Sequence, residues 1–395
     1  MPANIYDESL ALHKKLRGKI AIKGLINVKT SRELSMVYTP GIAAPVRAIV
    51  EDPSRSFDLT WRGRTVAIIS DGSAVLGLGN IGPEAALPVM EGKAMLMKEF
   101  GGVDAVPVVI NTQDPVEIIH FVKTIAPSFA GINLEDISAP RCFQIEEALQ
   151  DIGIPVFHDD QHATAIVIAA ALRNAAKVID KAYKSLKVII IGAGAAGLAT
   201  ARILLGLNCS SDICERIPGI SSIKDVILVD SHGALYAGRE NQNIYKQAIA
   251  GITNSSHITG SLQDALKNAD AVIGLSQPNL LSQPMIKSMA DKPIVFALAN
   301  PSPEIRPDAA KAAGADIVAT GRSDYPNQIN NISVFPGIFR AVIKGRLKVI
   351  TNPMKMAAVY TLAGIIKNPS EDNIIPSPMH PGLADTIAKA VIKAK

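Results

Sequence analysis

The chain has 395 residues, 48% hydrophobic and 19% charged, with a formal net charge of +4 and a mean hydropathy of +0.22. That length exceeds what one hydrophobic core fills, so two domains are expected, and the apolar content excludes a disordered chain. The mild charge argues against a nucleic-acid partner, and the longest apolar stretch, Ala163–Leu172, is too short to span a bilayer.

The N-terminus, Met1–Glu8, carries acids and no apolar stretch, so no signal peptide is expected. The basic cluster His13–Lys19 lacks interleaved aromatics and reads as a solvated face. Cys142, Cys209 and Cys214 form no CxxC pair; the simplest reading is reduced thiols in a cytosolic setting.

Next comes Tyr38, ahead of the turn Thr39-Pro40-Gly41. A rigid turn could hold its phenol as a proton donor, although a tyrosine in that position more commonly packs. From about residue 65 to 320, short aliphatic runs alternate with helical patterns, the signature of a doubly wound α/β fold. The predicted strands are Thr65–Ile69, Ala105–Ile110, Gly131–Leu134, Pro155–Phe157, Lys187–Ile191, Val226–Val229, Ala271–Gly274, Ile294–Ala297 and Ile317–Ala319. Between the first two, Leu87–Phe100 reads as a helix with Lys93 on the apolar stripe of Met90 and Met97. There the lysine either loses its proton through desolvation and serves as a base, or snorkels to water.

Two predicted strands run into paired acids, Glu135-Asp136 and Asp159-Asp160. Ligands gather at the carboxyl ends of parallel strands, and hard oxygens suit Mg²⁺ or Mn²⁺. Glu135, Asp136 and Asp160 are therefore candidate metal ligands, with N-capping of the following helices as the structural alternative. A long helix through Gln161–Lys181 connects an N-terminal substrate and metal domain (1–161) to a dinucleotide-binding domain (162–395).

The second domain opens with Lys187–Ile191 and the loop Gly192-Ala193-Gly194-Ala195-Ala196-Gly197, followed by a helix. The glycines allow a tight turn and close approach of a pyrophosphate to the helix N-terminus. Asp230 ends the next strand, where an acid grips the adenosine ribose and favours NAD over NADP; Arg239 keeps NADP in play. The extra spacing before Asp230 is assigned to an insertion around Cys214–Ser222.

On these residues the chain resembles the malic enzymes of the short, bacterial type, from about residue 20 to 385. The motifs are Val37–Gly41, Ser70–Gly79, Glu91–Ala94, Asn133–Asp136, Phe157–His162, Phe296–Pro301 and Asn330-Asn331 before Phe335-Pro336-Gly337. The resemblance implies oxidative decarboxylation of L-malate to pyruvate and CO₂, with Tyr38 and Lys93 as the acid/base pair and Glu135, Asp136 and Asp160 on the metal. It further implies cofactor contacts from the glycine loop, Asp230, Ser276 and Asn300, substrate contacts from Ser73, Asn300, Asn330 and Asn331, and a homodimer. Ala74 stands where longer relatives carry an arginine for malate, which makes Ser73 and the loop near Asn80 the expected substitutes. A malolactic conversion with bound NAD, or a nucleotide-sensing protein on the same fold, are the alternative activities.

Overall fold

The computed structural model describes residues 4–75, 78–210 and 213–395; Leu76 and Gly77 of the Ser70–Gly79 motif, and Met1–Ala3, lie outside them. Helices α1 (Ile5–Leu16), α2 (Ser31–Val37), α3 (Ala43–Glu51) and α4 (Ser56–Leu59) come first. None of them contains a buried residue, even where the sequence is apolar.

A four-stranded parallel sheet follows, in the order β2-β1-β3-β4: β1 (Thr65–Ser70), β2 (Asp104–Val109), β3 (Gly131–Leu134) and β4 (Val156–His158). Helices α5 (Pro83–Gly101), α6 (Pro115–Ile125) and α7 (Arg141–Glu147) connect them. The chain winds from β1 to one side and then returns to the other side through β3. The switch point between β1 and β3 is where an open parallel sheet offers a crevice, and Glu135-Asp136 begin the loop there.

Helix α8 (Asp159–Val178) starts directly at the end of β4 and is buried along most of its length. It leads into a six-stranded sheet of order β12-β11-β10-β5-β8-β9. Here β5 is Lys187–Ile191, and α9 (Ala195–Leu205) leads to a small hairpin of β6 (Leu207–Cys209) and β7 (Cys214–Arg216). The sheet continues with β8 (Asp225–Asp230), β9 (Gly233–Ala234), β10 (Ala271–Gly274), β11 (Ile294–Ala297) and β12 (Ile317–Thr320). Only β9 is antiparallel in it. Short helices α10 (Ile244–Ala250), α11 (Leu262–Leu266), α12 (Gln283–Lys287) and α13 (Pro307–Ala312) flank it.

The chain ends in α14 (Phe335–Gly345), α15 (Asn352–Ile365) and α16 (Leu383–Lys393), which fold back. Phe335 and Phe339 of α14 are fully buried, and Phe339 meets Phe157 of β4 edge-on at 5.9 Å. One apolar core therefore runs from β1 through α8 to α14–α16, so the two sheets share it. A second cluster under Ile189, Ile227 and Val295 fills the other face of the larger sheet.

All nine predicted strands are present, with ends shifted by a residue or two. The β6–β7 hairpin and β9 were not expected. The hairpin also corrects the reading of reduced thiols: Cys209 and Cys214 pair across the antiparallel register and form a disulfide, and Cys142 is the free, buried cysteine. The C-x₄-C spacing fits two residues facing each other on a tight hairpin, a geometry that a search for CxxC passes over. Among the described residues no helix is long and apolar enough to cross a membrane.

Candidate active site

Helix α5 turns Lys93 inward between Met90 and Met97, as the stripe predicts; Lys98, five residues on, is exposed. Of the two readings the sequence leaves open, neither describes Lys93: it is buried rather than snorkelling to water, and its surroundings do not strip its proton. Lys93 Nζ reaches Asp159 Oδ2 at 2.5 Å, pairs with Glu135 and lies 4.5 Å from the centre of the Phe335 ring. Burial works against its charge, but the carboxylates of Asp159, Glu135 and Asp160 outweigh that and hold the ammonium well above its ordinary range.

The two acid pairs meet. Glu135, Asp136 and Asp160 place carboxylate oxygens within 4.8 Å of one another. The Asp136 N–H donates to Asp160 Oδ2 at 2.8 Å, and Asn133 Nδ2 donates to Glu135 Oε2 at 2.8 Å. Asp136 adopts φ +53, a left-handed conformation that non-glycine residues rarely take outside special turns. Burial, then repulsion from Asp160, pushes the Asp136 carboxyl up to about 8. Its Oδ2 is buried without a hydrogen-bond partner. An oxygen-only donor set with an orphaned buried oxygen and mutual repulsion fits a hard divalent cation such as Mg²⁺ or Mn²⁺. Asp159 stands apart: its Oδ2 is taken by Lys93 and by Asn331 Nδ2 at 2.5 Å.

A cavity of about 860 Å³ opens over these groups, lined also by Asn330, Asn331, Phe335 and Ser377. His13 and Lys19 line it as well, so part of the basic cluster read as solvated faces the site. Lys19 Nζ donates to the carbonyl of Pro88 at 2.6 Å. Four expected site residues lie elsewhere, among them Asn300, exposed on the loop after β11. The Ser73 hydroxyl donates to Asp71 Oδ1 at 2.6 Å and accepts from the Ser138 N–H, which commits it to a turn. Asn80 pairs with Gln113 on the surface. Tyr38 is 68% exposed and does not line the cavity.

The dinucleotide loop has the expected build. The Gly192 N–H donates to the carbonyl of Val229, and a Cβ on Gly197 would sit 1.8 Å from the Gly192 oxygen. Gly194, the N-cap of α9, faces open space, which leaves room for a phosphate at the first turn beside Ala195 and Ala196. Ser276 and Asn300 lie on exposed loops after β10 and β11. Glu304, buried and absent from the sequence reading, joins those loops by accepting the N–H groups of Ser276 and Ala299. Asp230 is not a free acid: Arg239 bonds both its oxygens at 2.9 and 2.6 Å, and Lys246 adds a third bond at 2.7 Å. Burial opposes its charge, but those donors hold it well below the ordinary carboxylate range.

Family models match both halves, the malic enzyme N-terminal domain over residues 16–150 and the malic enzyme NAD binding domain over 161–394. The chain belongs to the malic enzyme family. It is 47% identical to a bifunctional malic/malolactic enzyme of Bacillus subtilis over 99% of this chain and 93% of the relative. An NADP-dependent malic enzyme of Halomonas elongata is 41% identical, over 96% of this chain and 91% of that one. The crystal structure of an NAD-dependent malic enzyme from Thermotoga maritima superposes with a TM-score of 0.90 at 44% identity, covering 97% of this chain and 98% of that chain. Asp159 belongs to the Phe157–His162 motif, but its pairing with Lys93 is not legible there; Lys246 at Asp230 and Glu304 belong to no motif, and each of the three acts through a contact distant in sequence.

Proposed function

We propose that this chain catalyses divalent-metal-dependent oxidative decarboxylation of L-malate to pyruvate and CO₂ with NAD or NADP as electron acceptor. The observation that carries the reading is the cavity in which a buried lysine meets three clustered carboxylates beside Asn330 and Asn331. Glu135, Asp136 and Asp160 would hold Mg²⁺ or Mn²⁺; when bound, the ion supplies Lewis-acid polarisation of the C2 oxygen and offsets the negative charge that keeps Lys93 protonated. The nicotinamide supplies the two-electron acceptor, on the loop Gly192–Gly197.

Lys93 then takes the C2 hydroxyl proton, with Asp159 and Asn331 fixing its direction. Hydride transfer from C2 to the nicotinamide would make C2 a ketone; loss of the C4 carboxylate as CO₂ then leaves an enolate that needs a proton at C3, and Tyr38 is the donor for it. Because Tyr38 lies outside the cavity of its own chain, we place it in the site of a second copy. Residues 4–64 contain no buried side chain and expose Ile22, Leu25, Val50 and Tyr38 among others. A monomer would leave an apolar face of that kind in water. A homodimer covers it and brings Tyr38 to the partner subunit's site.

The acid at Asp230 favours NAD by its position, with Arg239 keeping NADP open. Two cations on one carboxylate leave a net positive charge at the ribose end, so a 2′-phosphate meets donors rather than repulsion. We therefore assign both NAD and NADP to the site. The name of the Bacillus subtilis relative keeps malate-to-lactate conversion as a second reading. Incubation with L-malate, Mn²⁺ and NAD, with products resolved by proton NMR, separates them. Pyruvate matching the NADH formed supports the main reading, lactate without net NADH supports the second, and neither product removes both.

A further inference from the structure

The first turn of α8 carries Asp159 and Asp160, yet its N-cap, His158, makes no side-chain cap bond. The turn is held from outside by Glu146 on α7. Glu146 Oε1 accepts the His158 backbone N–H at 3.1 Å, Oε2 accepts Gln161 Nε2 at 3.1 Å, and His162 Nε2 donates to the two oxygens at 2.8 and 2.9 Å. These three donors bracket Asp159 and Asp160 on both sides. An ordinary cap would accept the amides of the second or third helical residue, and Glu146 bonds to neither.

The network continues across the molecule. Lys355 Nζ on α15 lies 3.1 Å from His162 Nδ1 and 3.3 Å from its Nε2, so the imidazole is held between this ammonium and Glu146. Burial opposes a charge on Glu146, but its contacts with His162, Lys355 and His158 hold it below the ordinary carboxylate range. Gln161 and Glu146 are almost completely enclosed. A cavity of about 490 Å³ lies behind this cluster, on the side away from Lys93, lined by Glu146, His162, Lys355 and Arg202.

We propose that Glu146 is a positioning residue for the divalent-metal site: clamped to His158, Gln161 and His162, it sets the orientation of the α8 turn and so the placement of Asp160 against Asp136. The proposal rests on the reading of Glu135, Asp136 and Asp160 as metal ligands. Asp160 Oδ2 accepts the Asp136 N–H at 2.8 Å, a contact that bridges the loop after β3 and the first turn of α8 and survives only if the start of α8 is held in register. Lys355 anchors the clamp to the C-terminal helices, so metal affinity is tied to the packing of α15 on α8. Groups that orient metal ligands from behind typically contribute ten- to a hundredfold to metal affinity, about what is expected here.

The test is Mn²⁺ binding to the full-length protein, measured by the loss of the free Mn²⁺ EPR signal, beside NADH binding measured by fluorescence. Wild type and Asp160→Asn come first: Mn²⁺ binding that Asp160→Asn does not weaken overturns the metal site itself, and the clamp with it. Given a sound metal site, Glu146→Gln is expected to raise the Mn²⁺ dissociation constant about ten- to a hundredfold while NADH affinity stays within about twofold. The KM for malate rises with it. Mn²⁺ affinity within about twofold of wild type overturns the proposal, as does a parallel fall in Mn²⁺ and NADH affinity, which is the mark of general structural damage. If Glu146→Gln does not fold, Gln161→Met removes one arm of the clamp at similar volume. It is expected to weaken Mn²⁺ several-fold on the same comparison, and an unchanged affinity contradicts the clamp.

Discussion

The Asp136 N–H donates to Asp160 Oδ2 across 2.8 Å, although 24 residues separate the two in sequence. That bond joins the loop after β3 to the first turn of α8, and turns two acid pairs that each resemble helix caps into one cluster. Asp136 takes a left-handed φ to make it, and its own carboxyl is left facing Glu135 and Asp160. Backbone strain and crowded charge at one point are expected where a bound ligand repays both.

The crowding predicts how metal binding depends on pH. Asp136 is raised to about 8 from an ordinary value near 3.8, so in the metal-free protein it carries a proton through the neutral range. A raised carboxyl favours the fold below the unfolded value, and that contribution is lost as pH climbs from about 4 through about 8. Mn²⁺ must displace the proton. Its affinity should therefore rise with pH up to about 8 and then level, with proton release measurable by calorimetry in buffers of different ionisation enthalpy. A flat affinity from pH 6 to 8 would contradict this.

The proposed sharing of Tyr38 between two subunits predicts complementation. Tyr38→Phe and Lys93→Met should each lower kcat by about 10²–10⁴-fold. When the two variants are unfolded together and refolded, half the dimers are mixed and each mixed dimer holds one intact site. About a quarter of wild-type activity should return if Tyr38 acts on the partner's site. If it acted within its own chain, mixing would restore nothing.

Much of this was readable in the sequence, for reasons that differ by element. Aliphatic runs such as Val188–Ile191 announce buried parallel strands, because burial on both faces leaves no room for polar residues. Lys93 was found by helical period alone. Its charge state was not, because Asp159 lies 66 residues away and only the fold brings them together. Asp230 was legible as the acid at a strand end and Arg239 as a cation near it, but the second cation, Lys246, comes from α10, beyond any local pattern. Ser73 was assigned on position in a motif, and its turn claims it.

Cofactor choice should follow those cations. Removal of a charged hydrogen-bond donor costs about 1.5–3 kcal/mol, so Lys246→Met is expected to lower kcat/KM for NADP about ten- to a hundredfold and to change that for NAD little. Steady-state kinetics with both cofactors measure it. Equal losses for the two would show that Lys246 only supports Asp230.

The Cys209–Cys214 disulfide closes a short loop on the hairpin after α9, outside the metal and lysine cluster. Loop-closure entropy gives such a short bridge about 2 kcal/mol. Dithiothreitol, or Cys209→Ser with Cys214→Ser, should lower the urea midpoint accordingly and leave kcat close to wild type. A large loss of kcat in protein that remains folded would tie the hairpin to the reaction.

The most direct test of the account is absorbance at 340 nm with L-malate, supplying NAD and NADP in turn, with and without Mn²⁺, on wild type and Asp160→Asn. The account predicts reduction of both cofactors that requires Mn²⁺, yields an equal amount of pyruvate, and all but disappears in Asp160→Asn. Reduction that persists in EDTA, or no reduction by folded, Mn²⁺-loaded wild type, would contradict it.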